Sequence, residues 1–103
     1  MNDIAELNEL MAELLEGNID DDTMTLTERG REIVNGISDY AEKTQIYQDN
    51  KERGEIFKES SAKQIWGYML DRIVNAPTLF HLTSSVLLIM PFLREKLDGK
   101  DNG

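Results

Sequence analysis

Apolar residues recur along most of this chain at the three- and four-residue steps of an α-helix. Ile4, Leu7, Met11 and Leu14 form the first such stripe, widened by Leu10 and Leu15, and predict an amphipathic helix over residues 3–16. Gly17 follows the last apolar position and is a natural stop. Residues 18–23 read as a polar, acidic turn, and Thr25 or Thr27 is placed to cap a second helix. From Leu26 the apolar positions follow a heptad through Gly30, Ile33, Ile37, Tyr40, Thr44 and Tyr47. Gly30, Gly36 and Thr44 weaken that seam. An interior glycine is tolerated where a neighbouring element comes close or the helix bends. The spacing places the end of this helix between Gln48 and Gly54, with Ile56 and Phe57 in the connection that follows.

Ser61-Ala62-Lys63-Gln64 fits a capping box ahead of a third helix. Ala62, Ile65, Trp66, Met69, Leu70, Ile73 and Val74 make its broad apolar face. This helix is expected to end near Asn75, because Pro77 disfavours helical geometry in the residue before it. Thr78 is placed to cap a fourth helix running to about Leu97, in which Leu79, Leu82, Val86, Ile89, Leu93 and Leu97 share one stripe. Leu88 and Phe92 lie on another face, so the second half of this helix is apolar nearly all round. Pro91 removes the bond to the Leu87 carbonyl and is expected to kink or split it.

No strand-like alternation and no hairpin turn is read from the pattern. The expected fold is all-α: a compact antiparallel bundle of about four helices in a single domain over residues 1–97, followed by a polar tail over 98–103. Homo-oligomerisation would complete the bundle if the last helix found no cover within 103 residues.

Charge changes this picture by dividing the chain. Residues 1–28 hold nine acids and no Lys or Arg. Residues 1–50 hold 13 acids and 3 bases, whereas residues 51–103 hold 7 acids and 8 bases. The net charge of −9 disfavours direct binding to nucleic-acid phosphates and favours a basic partner surface. There is no cysteine, which removes disulfides and thiolate metal sites and suits the expected cytoplasmic location. No positively charged leader precedes an apolar run at the amino terminus. The uncharged run 79–93 is shorter than the ~20 residues that span a bilayer, so a membrane partner is not expected.

The chemistry-bearing residues are few. His81 is the only histidine, with no Ser–His–acid or metal-ligand spacing around it. Asp20, Asp21 and Asp22 invite a calcium loop, but the fifth, sixth and twelfth positions from Asp20 are Met24, Thr25 and Arg31. A calcium loop needs an oxygen donor, a glycine and a glutamate there. No catalytic residue, cofactor or metal is expected.

Leu10–Glu16, Ile19-Asp20, Thr25-Leu26, Glu32-Ile33 and Tyr40-Ala41 are similar to the opening of the small helical siphophage accessory proteins linked to phage resistance. The resemblance covers about 40 residues and implies a phage or mobile-element origin. The apolar second half departs from the long charged helix of that family, and no residue role carries over.

These observations point to a non-enzymatic adaptor or inhibitor that binds another protein. Its expected anchors are Leu82, Val86, Ile89, Met90 and Phe92. Its expected steering acids are Glu6, Glu9, Glu13, Glu16, Asp20, Asp21 and Asp22. An acidic mimic of nucleic acid, blocking a DNA- or RNA-binding enzyme, is the alternative. A membrane-associated immunity-type protein using residues 79–93 is a third.

Overall fold

Local hydrogen bonding decides where each helix begins. In the computed structural model, which describes residues 4–100, three of the predicted caps are in place. The Thr27 hydroxyl accepts from the Gly30 amide, and the Thr78 hydroxyl accepts from the His81 amide. Ser61 and Gln64 close both halves of a capping box. These caps open α2 (Glu28–Glu42), α5 (Leu79–Glu95) and α4 (Ala62–Val74). The first helix, α1, spans Ile4–Leu15; the predicted start at Asp3 lies outside the described residues. Gly17, with φ of +95°, carries the chain out of α1 in a conformation that favours glycine.

Two features depart from the pattern reading. The acidic turn is part of a small antiparallel hairpin, β1 (Ile19–Asp20) with β2 (Thr25–Leu26), in which Ile19 faces Leu26 and Asp20 faces Thr25. The Asp20 carboxylate accepts from the Asp22 and Thr23 amides at 2.9 and 3.3 Å, and Met24 completes the turn at φ +56°. The second helix also stops early. The Thr44 hydroxyl donates to the Ala41 carbonyl at 2.6 Å and accepts from the Tyr47 amide at 3.3 Å. One side chain thus satisfies the end of α2 and caps α3 (Gln45–Asn50). A 3₁₀ segment, Lys51–Phe57, continues the chain towards α4.

α5 is the hub. It packs against α2 and α4 along its length and also meets α1, α3 and the 3₁₀ segment. Val86, Ile89, Met90 and Leu93 are fully buried among Leu14, Ile37, Ile65 and Met69 from the surrounding helices. α5 continues as one helix through the buried Pro91, so the predicted split does not occur. Nearby, the buried Ser38 hydroxyl donates to the Met90 carbonyl at 3.4 Å. The radius of gyration, 12.6 Å, is close to the ~13 Å of a compact domain of about 100 residues. One chain therefore covers its own oily helix, and self-association is not needed to complete the core. The expected polar tail is also modified at its start. Lys96–Lys100 forms a wide closing turn, and Asp98 accepts from Arg31 of α2 at 2.7 Å. Residues 101–103 of that tail lie outside the described residues.

Three arginines fasten the helices. Arg94 of α5 reaches Asp39 and Glu42 of α2, each at 2.6 Å. Arg31 holds Asp98, and Arg29 forks onto both carboxylate oxygens of Glu13 in α1 at 2.6 and 3.0 Å. The hydrogen bond from Arg29 holds the Glu13 carboxyl below its ordinary pKa. A depressed carboxyl pKa stabilises the fold above the unfolded-state value, and that contribution disappears as pH falls through the folded-state value. The wild type's lead in melting temperature over Glu13→Gln should therefore shrink as the medium is acidified through the carboxylate range. A difference that stayed constant with pH would assign the effect to packing. The pair is solvent-exposed, so the effect should be small and should weaken with salt.

Candidate functional site

Burial overturns most of the expected anchor set. Val86, Ile89 and Met90 are core residues, with Ile89 only 1% exposed. They are corrected from an outward-facing surface to the interior, because α2 and α4 cover the two apolar faces of α5. Leu82 and Phe92 are partly buried. The Phe92 ring is held between Tyr47 and Phe57, with centroid distances of 5.6 and 5.5 Å.

The expected steering acids divide. Glu9, Glu16, Asp20, Asp21 and Asp22 are exposed, and Glu6 is partly buried. Glu13 is engaged by Arg29 and so is tied within the chain. The carboxylates of Asp20, Asp21 and Asp22 lie within 4.8 Å of one another on the surface. Asp20 already serves the turn backbone.

Three of the large apolar residues left in solvent lie at the ends of α4 and α5. Val74 closes α4 and is 80% exposed. Leu79 and Phe80 open α5 at 55% and 65% exposure. The Asn75–Thr78 corner separates the two groups. Phe80 and Ile4 border a groove of about 210 Å³ that reaches Leu7, Tyr40 and Leu87. Thr83 also lines it. Thr83 is buried, and its hydroxyl has no hydrogen-bond partner among the described residues. A buried hydroxyl left in that state is costly unless something bonds to it. The buried Ser84 hydroxyl lines the groove in the same condition, so the groove is an apolar slot with two such hydroxyls in its wall.

A second cleft, about 250 Å³, lies where α4, α5, α3 and the 3₁₀ segment meet. Arg53, Arg72 and His81 line it together with Tyr68, Ser85 and Leu88. The guanidinium of Arg72 stands 5.9 Å from the Tyr68 ring centroid, and its Nε is 3.5 Å from the Ser85 hydroxyl. That hydroxyl donates to the His81 carbonyl at 2.9 Å. The His81 ring Nδ1 lies 2.6 Å from the Thr78 hydroxyl. The same hydroxyl caps α5, so the pair has a structural use. No carboxylate lines this cleft, although Asp71 borders the adjoining cavity next to Arg72.

Sequence reasoning missed both features. The stripe placed Leu79 and Val74 on buried faces, yet both lie at helix ends beyond the reach of a covering neighbour. Arg72 and His81 flank the Pro77 corner, which was a legible sign that they lie close together. Nothing in the spacing of Arg53 signalled that it joins them.

Comparison with known proteins returns no match, whether to a family model, a curated protein or a solved structure. Among the described residues, no helix is long and apolar enough to cross a membrane.

Proposed function

We propose that this chain is a non-enzymatic binding protein, an adaptor or inhibitor whose partner is another protein. The observation that carries the reading is the exposed apolar end formed by Phe80 and Leu79 beside the Ile4–Phe80 groove. Aromatic residues presented this way supply much of the energy at protein interfaces. The groove would receive an apolar side chain of the partner, with the Thr83 hydroxyl contributing one directional bond. The net charge of −9 selects a partner whose surface around that side chain is basic. The contact surface therefore shifts from the middle of α5 to its first turn.

Phe80→Asp tests the proposal, because the side chain is exposed and its replacement leaves the core intact. Affinity capture from source-cell lysate should recover a basic protein with the wild type and lose it with Phe80→Asp, while the melting temperature changes little. Loss of the same partner in Ile4→Asp would place it at the groove. Retention of the partner by both variants would overturn the proposed surface. Capture only of the chain itself would replace a foreign partner with self-association.

A further inference from the structure

Of the five arginines in this chain, Arg29, Arg31 and Arg94 are each paired with carboxylates. The other two, Arg53 and Arg72, have no carboxylate partner among the described residues. Both line the same cleft, and the only histidine lines it too. In a chain with 20 acidic residues against 11 basic ones, a cleft bordered by three basic side chains and no acid is distinctive. We infer that this cleft binds a small oxyanion-bearing molecule, a carboxylate or phosphate attached to an apolar body.

The chemistry of the walls sets each half of that ligand. An arginine presents a planar fork of donors that matches a carboxylate or phosphate, and a fork without a protein carboxylate keeps those donors available. The Arg72 fork is positioned by Tyr68 on its face and by the Ser85 hydroxyl at its Nε. Phe57, Tyr68 and Leu88 supply the apolar surface for the rest of the molecule.

The overall charge sets the size of the ligand. A polyanion such as nucleic acid would meet the repulsion of the whole −9 surface. A small anion inside the cleft meets mainly the groups beside it, because charges beyond about 8 Å are largely screened at physiological salt. The cleft volume of about 250 Å³ accords with a ligand of that scale. The cleft adjoins the groove beside Phe80: Ile46 and Ser84 line both, and the Phe80 ring stands 5.9 Å from the His81 ring, whereas Arg53 and Arg72 line this cleft and not that groove.

Titration with phenyl phosphate and with phenylacetate, followed by calorimetry and by NMR of the arginine Nε and His81 ring signals, tests it. The expected result is saturable binding of at least one probe, with shifts confined to Arg53, Arg72 and His81. Arg72→Gln should weaken that binding about tenfold, the usual scale for one charge-assisted hydrogen bond. Arg31→Gln removes the same charge elsewhere and should leave the affinity unchanged. Neutral phenylacetamide should bind at least about tenfold more weakly than phenylacetate. Binding of only one of the two anions would assign the ligand as a phosphate or a carboxylate. Absence of saturable binding by both would overturn the inference. So would equal binding by phenylacetamide, or full affinity in a folded Arg53→Gln, Arg72→Gln double variant.

Discussion

Ile89→Asp is expected to unfold the protein. Ile89 is almost completely enclosed in the middle of α5, among side chains from α2 and α4. Its removal loses the packing of a buried aliphatic chain, which alone costs about 2–5 kcal/mol for truncation to Ala. The carboxylate adds a charge at a position that is only 1% exposed, and burying such a group costs several kcal/mol more. A domain of this size has only about 5–15 kcal/mol of stability in total. Circular dichroism should show loss of the cooperative thermal transition in Ile89→Asp. Ile89→Val should melt as one unit, destabilised by about 0.5–1.5 kcal/mol. A wild-type melt for Ile89→Asp would mean that α5 does not pack as described. Because this substitution removes the fold, loss of binding in it carries no information about an interface, whereas Phe80→Asp does carry that information.

Gly30→Ala should destabilise, whereas Gly36→Ala and Gly67→Ala should stabilise. All three glycines lie in helices, so propensity alone predicts that each would gain about 0.5–1 kcal/mol from Ala. Tertiary contacts reverse the sign at Gly30. A Cβ there would stand 2.1 Å from the Asn18 carbonyl oxygen. That carbonyl accepts the Thr27 amide at 3.1 Å, and the Thr27 hydroxyl bonds the Asn18 side chain at 2.6 Å while capping α2. Relief of the clash would disturb both the cap and the anchoring of the hairpin. A cost of about 1–3 kcal/mol follows for such overpacking, or a fall of roughly 5–20 °C in melting temperature. Around Gly36 and Gly67 a Cβ meets nothing within 4 Å, so only the helix gain remains. Destabilisation of equal size at all three positions would remove the Asn18 contact as the cause.

The parts of the fold legible in the sequence are those governed by near neighbours. The Ser61–Gln64 box, the Thr78 cap and the Gly17 exit depend on residues within one turn, and all three stand as the pattern predicts. The heptad from Leu26 does point inward, with Gly30, Ile33 and Ile37 buried. It failed at Thr44, where a residue that fits the apolar period also offers a hydroxyl that ends one helix and begins another. The hairpin was invisible for a different reason. Its strands are two residues each, too short for alternation, and Met24 takes the left-handed position that Gly or Asn would have advertised. The site was less legible than the fold. Apolar content marked α5 as important, but it could not distinguish a helix covered by the same chain from one awaiting a partner. The Arg53–Arg72–His81 grouping is a product of tertiary packing across three elements.

The position of α5 in the chain has a consequence for how the molecule comes into being. α4 packs chiefly on α5, and α2 also makes its most extensive packing there. Because α5 follows both in sequence, the apolar faces of α2 and α4 leave the ribosome before the surface that covers them exists. Folding must wait until residues 79–97 have emerged, which makes closure of the core a late, long-range event. During that interval the nascent chain exposes two amphipathic helices to chaperones and proteases, and the acidity of its first 28 residues helps keep it dispersed.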